Sequence, residues 1–267
     1  MSNIQKSFKT GSRGKVITVF STVAAALFIS HATVAAAGTK APKPDAAAAA
    51  EDVQTALQMA RAARAAGDPA AAAPLYRKAL TLRADPAVQA ELGDVLLQAG
   101  LIDDAIGAYE AVEAGSPARV DALLGLQRAY ARLDQPQKAL AYAQQAADLG
   151  PRDERAQIGL GVALDAAGRH AEAQAAYRRA LAVAPRSVAA RNDLALSLAL
   201  TGGYDEAVDL LTPIARSANA TPQVRQNLAM VYGLKGDREQ ALALGRADLD
   251  PAQAEANLRL FELARGR

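Results

Sequence analysis

The chain has 267 residues, 51% of them apolar but only 4% aromatic, with no cysteine and a formal charge of +2 from 30 basic and 28 acidic residues. The missing cysteine excludes disulfides, thiolate metal sites, a cysteine nucleophile and a lipid-modified cysteine. An apolar fraction made largely of alanine and leucine suits tightly packed helices rather than a sheet sandwich.

In chain order, the first fifteen residues hold Lys6, Lys9, Arg13 and Lys15 and no acid, and the next fifteen, Val16 to Ser30, are almost wholly apolar. Small residues from Val34 to Gly38 then suit a signal peptidase. The order reads as a secretory signal peptide over residues 1–37, cut after Ala36 or Ala37, and predicts a periplasmic protein. The competing reading is an uncleaved membrane anchor, because the 22 residues from Val16 to Ala37 are long enough to span, although His31 and several Ser/Thr residues weaken it. Without the four basic residues of this segment, 26 basic stand against 28 acidic residues. That balance gives a nucleic-acid partner no concentrated positive surface.

Residues 38–51, with two prolines, a glycine and an alanine run, read as a flexible linker whose Ala46 to Ala50 can drift into the first helix.

From residue 52 to residue 250 the chain repeats. Turn residues recur at Gly67, Gly100, Asp134, Gly168, Gly202 and Gly236, at intervals of 33 and then 34, and five residues after each stands Ala72, Ala105, Ala139, Ala173, Ala207 or Ala241. Each unit predicts a helix, a left-handed turn residue and a second helix, with the alanine at the closest backbone approach. A first-helix pair packs the core: Met59/Ala60, Leu92/Gly93, Leu126/Gln127, Leu160/Gly161, Leu194/Ala195 and Leu228/Ala229. The second helix offers Tyr76, Tyr109, Ala143, Tyr177, Leu211 and Gly245 at one position. One hairpin cannot bury such a face alone, but six stacked ones can. Gln127 and Asp134 in the third unit, and Gly245 and Asp248 in the sixth, depart from the pattern and predict looser packing there.

This pattern resembles the tetratricopeptide repeat family. The resemblance implies an all-α, right-handed superhelical solenoid of six helix-turn-helix repeats, followed by a C-terminal capping helix over residues 251–267. In that last segment Asp250 caps, Pro251 takes the first position, and Gln253 can close a capping box. Ala254, Leu258 and Phe261 point inward, with Asn257, Glu262 and Arg265 outward.

The search for chemistry is nearly empty. Of two histidines, His31 lies in the export segment and His170 reads as an exposed turn residue. Gly159-Leu160-Gly161 lacks the third glycine of a dinucleotide fingerprint. No catalytic set, cofactor or metal is expected, and the protein does not read as an enzyme.

The remaining candidate is the groove lined by the first helices. By register it presents Arg61, Arg64, Asp94, Arg128, Arg132, Arg155, Asn192, Gln226 and Asn227. Arg128, Arg132 and Arg155 come from adjacent repeats and read either as a clamp for a carboxylate or peptide backbone, or as a solvated polar face.

Residues 191–265 are more specific. Leu211-Thr212-Pro213-Ile214, the run Thr221 to Ala229, and Ala247-Asp248-Leu249-Asp250-Pro251 leading to Asn257-Leu258 resemble the TadD family of tight-adherence (Flp) pilus assembly proteins. The resemblance implies work at the cell envelope, with the outer-membrane secretin or pilus assembly components as partners. A periplasmic chaperone or adaptor for cell-wall or polysaccharide machinery is the alternative. Pro213 predicts a kink or an early end in the second helix of repeat five.

Overall fold

The computed structural model describes residues 46–218 and 220–265; the signal-peptide segment and the first part of the linker lie outside them. Six helical hairpins follow one another. They are α1 (Ala46–Ala65) with α2 (Pro69–Leu82), α3 (Pro86–Gln98) with α4 (Ile102–Glu110), and α5 (Arg119–Arg132) with α6 (Pro136–Leu149). Next come α7 (Glu154–Ala166) with α8 (His170–Val183), α9 (Val188–Leu200) with α10 (Tyr204–Ala215), and α11 (Pro222–Lys235) with α12 (Arg238–Gly245). A last helix, α13 (Pro251–Arg265), packs on α11 and α12. The first helix starts at Ala46, so residues 46–51, assigned to the linker from sequence, belong to α1.

The turns are the ones that the spacing requires. Gly67, Gly100, Gly168, Gly202 and Gly236 all have positive φ, and Asp134, at φ 55°, is the one non-glycine residue among those described that does. Aspartate tolerates this region better than most residues, which is why the third repeat keeps its turn without glycine. Helix starts are fixed chemically as well. Asp68, Asp85, Asp153, Ser187, Thr221, Asp237 and Asp250 each accept a backbone N–H from the first turn.

Successive first helices, α3 to α5, α5 to α7, α7 to α9 and α9 to α11, touch one another, whereas successive second helices show no comparable contact among the described residues. The first helices therefore form the inner, concave layer. The six register alanines are at most 4% exposed, and Tyr76, Tyr109 and Tyr177 at most 2%. A Cβ at Gly93 would lie 2.5 Å from the Tyr109 ring, and one at Gly161 2.4 Å from the Tyr177 ring. The glycine thus makes room for the tyrosine of its own hairpin. Gly125, on the next first helix, closes on the other side of Tyr109, where a Cβ would come within 2.2 Å.

The third repeat departs where the sequence does: Gln127 stands at the glycine position and Ala143 at the tyrosine position, both buried, and a cavity of about 140 Å3 lined by Gln127, Ala139 and Ala163 lies between this hairpin and the next. In the sixth, Gly245 is the point where α13 comes close, its would-be Cβ 3.2 Å from that of Ala254, and Phe261 supplies a ring against Gly233. Asp248 there is bonded to Arg225, whose Nε donates at 2.7 Å.

Met59 is a correction to the sequence reading. The equivalent leucines are buried in every later repeat, but Met59 is 55% exposed, because no hairpin among the described residues precedes α1 to cover it. In α13, Asn257-Leu258 repeats Asn227-Leu228 of α11, and Leu258 is buried as Leu228 is. Asp250 caps the helix, yet Leu260 and Leu263, not singled out from sequence, are the residues most exposed on it among its large apolar ones. Helix α10 runs through Pro213 and stops at Ala215, two residues shorter than α8.

Candidate functional site

Three first helices, α3, α5 and α7, enclose a groove of about 550 Å3 on the concave layer. Its floor is apolar, from Ala90, Leu124, Ile158 and Val162, and its walls carry Glu91, Asp94, Asp121, Arg128 and Arg155. Gly159 lets the floor close, because a Cβ there would stand 2.6 Å from the Leu124 side chain.

The walls are a ladder of charges running from repeat to repeat. Arg61 grips Glu91 through two bonds, at 2.7 and 3.0 Å. Arg64 and Arg128 both reach Asp94, at 3.3 and 2.7 Å. Arg155 bonds Asp121 at 2.6 Å and its own cap residue Asp153 at 2.8 Å. Buried tyrosines add to the ladder from below: the Tyr76 hydroxyl donates to Glu91 and the Tyr109 hydroxyl to Asp94, both at 2.8 Å. Burial opposes ionisation of Glu91, but bonds from Arg61 and Tyr76 outweigh it and hold this carboxyl below its usual range. Burial, then the charge of Asp94, pushes the Tyr109 phenol well up.

Two of the three arginines read as a clamp or as a solvated polar face already have carboxylate partners. Arg128 and Arg155 are paired with carboxylates, while Arg132 donates only to the backbone carbonyl of Leu97 and meets no carboxylate among the described residues. These pairs are open to solvent, with Arg128 and Arg155 side chains 49% and 63% exposed. Each is worth about 0–1 kcal/mol, so a partner can exchange them at little cost.

The amide candidates sit farther along. Asn227 donates to Asn192 at 2.7 Å, and Asn192 to Asp193 at 3.1 Å. Gln226 lines a void of about 10 Å3 beneath α13. Next to the asparagines is a cluster that the sequence did not reveal. Asp165 accepts from Ser197 at 2.8 Å and from Tyr177 at 3.1 Å, and its Oδ1 lies 2.8 Å from Nδ1 of His170. His170 is therefore tied to the preceding helix rather than free in the turn. Burial, and beyond it the charge of Asp165, raises the Asp193 carboxyl above its usual range. Among the described residues no group of three or more His, Cys, Asp or Glu is placed to hold a metal ion.

A stack of helical hairpins whose inner layer forms an open groove with an apolar floor and exchangeable charges is a repeat scaffold for binding other proteins. The chain belongs to the tetratricopeptide repeat family: the family model matches residues 57–120, 91–154, 124–174 and 158–221. Those matches end before α11, and the sixth hairpin is seen in the structure instead. No curated protein sequence matches the chain. Solved structures share its fold. A tetratricopeptide repeat protein of Parabacteroides merdae is 18% identical with a TM-score of 0.62, over 80% of this chain and 87% of that one. A thermophilic repeat protein of Thermus thermophilus is 23% identical with a TM-score of 0.59, over 67% and 98%. The pilF protein of Pseudomonas aeruginosa is 17% identical with a TM-score of 0.64, over 81% and 99%.

Proposed function

We propose that the protein is an exported, periplasmic scaffold for tight-adherence (Flp) pilus assembly, which holds segments of pilus components or of the outer-membrane secretin in its groove and carries out no reaction step. The observation that carries the binding role is the groove itself, an apolar floor between walls of weak, exchangeable ion pairs. The pilus role is supported by the motifs at the C-terminal end. Leu211 to Ile214 ends α10, Thr221-Pro222 starts α11, and Asp250-Pro251 starts α13, so each marks a helix boundary in the last hairpins. Export is supported by the basic and apolar order of the first 37 residues.

The test is in-cell crosslinking of the full-length protein tagged after Arg267, with mass spectrometry of what is held in the envelope fraction. Secretin or pilus components among the products support the reading. Cell-wall or polysaccharide machinery alone replaces it with an envelope adaptor. A purified product whose N-terminus is Met1 overturns the cleaved signal.

A further inference from the structure

The inner layer changes character halfway along. Six residues before each turn residue stand Arg61, Asp94, Arg128, Val162, Leu196 and Met230. Asp94, Arg128 and Val162 of this series line the groove, so the series marks its inner surface. It is charged through the third repeat and apolar from the fourth. Two residues before the turn Arg132 stands in the third repeat and Leu200 and Leu234 in the fifth and sixth, with Ala65, Gln98 and Ala166 in the others, and Arg132 lines a second part of the groove beside Val162. Val162, which lines the groove, is 41% exposed, and Leu200, at the place in its repeat that Arg132 holds in the third, is 66% exposed, so packing uses neither fully.

The charges around this apolar stripe are unequal. At its near end Arg132 has no carboxylate among the described residues. Along its length lie Asp165, already bonded to Ser197 and Tyr177 and set against His170, and Asp193, whose ionisation burial opposes. An acidic group on a ligand is drawn to Arg132, and Asp165 and Asp193 offer it no partner farther along.

We propose, building on the scaffold reading above, that the groove takes an amphipathic peptide segment carrying an acidic residue followed by an apolar run. The acid pairs with Arg132, and the apolar side chains cover Val162, Leu196, Leu200 and Met230. The arginine–carboxylate ladder of repeats one to three then sets register at the acidic end and adds little affinity.

Fluorescence anisotropy with the full chain and three labelled peptides of equal length tests this. The first carries two glutamates ahead of leucines at positions i, i+3, i+4 and i+7; the second has lysines for the glutamates; the third has serines for the leucines. The first should bind about tenfold more tightly than either other. Arg132→Ala should remove about tenfold for the first peptide and nothing for the second, and Leu200→Asp, at an exposed position, should weaken both by about tenfold or more. Equal binding of glutamate and lysine peptides, with Arg132→Ala silent, overturns the acidic end. Equal binding of leucine and serine peptides overturns the stripe, as does a dimer in sedimentation that Leu200→Asp dissolves, since a second copy then covers it. Probe binding without pilus components in the cellular crosslinks leaves the groove chemistry intact and sinks the pilus role, whereas the reverse result sinks only the peptide class.

Discussion

The ring of Tyr177 fills the space that a side chain at Gly161 would enter, with Cε1 2.4 Å from the point where a Cβ would stand. Helix propensity favours Gly161→Ala by about 1 kcal/mol. The ring is 2% exposed and enclosed, so overpacking, at roughly 1–3 kcal/mol, opposes this and wins. The expected outcome is a lower urea midpoint. Ala173→Leu, at a position fully buried against the first helix, should lose roughly 1–3 kcal/mol in the same assay. A rise in either variant would place the helices farther apart than they are.

Asp134 invites the opposite change. An L-residue in the left-handed region costs roughly 1–2 kcal/mol, and glycine returns about 0.5–1 kcal/mol of that through chain entropy. Asp134→Gly should therefore stabilise by about 0.5 kcal/mol. Gly100→Ala should destabilise by roughly 1 kcal/mol, although a Cβ there meets nothing within 4 Å, because its φ is +79°. Paired thermal melts would separate conformation from contact; equal melting of both variants and the parent would refute this.

Two carboxylates should respond to pH in opposite directions. Asp193 has its folded value raised, so its ionisation destabilises the fold as pH rises through that value. Asp193→Asn should raise the neutral-pH midpoint, with the gain fading below the ordinary carboxylate range. Glu91 has its folded value lowered, so it contributes stability above that range and loses it as pH falls through the folded value. Glu91→Gln should lower the neutral-pH midpoint and match the parent in acid. Denaturation across pH 3 to 8 reads both, and like-signed effects would contradict the burial of Asp193.

The last helix should be needed by the sixth hairpin. Phe261 is only partly buried, so Phe261→Ala should cost less than a fully buried ring, about 1–3 kcal/mol. Deleting residues 251–267 should uncover Ala229 and Gly245, lower solubility and give a separate early melting phase. Unchanged melting and monodispersity would deny the helix this role.

The scaffold was legible because its causes are local and periodic. A turn residue every 33 or 34 positions, an alanine five later and Asp-Pro or Thr-Pro starts are written in single residues and their spacing. What was not legible depends on rotamers and ends. Arg128 and Arg155 read as part of a clamp or as a solvated face, yet Asp94 and Asp121 stand one repeat period before them; opposite charges spaced by 34 carried the signal of their pairing. Met59 looked like any core residue, and it is exposed because no hairpin among the described residues precedes α1. The bond between His170 and Asp165 crosses a turn and follows from the ring's orientation, for which no sequence period speaks.

The close fit of Tyr109 against Gly93 and Gly125 bears on how such a chain can have changed over time. Gly93 lies in the tyrosine's own hairpin and Gly125 in the next, so a side chain at either glycine meets the ring unless Tyr109 becomes smaller in the same step. Single substitutions are a poor route past such a contact. Duplication and exchange of adjacent hairpins together is an easier one, because the pair carries every side of the contact and can be inherited intact.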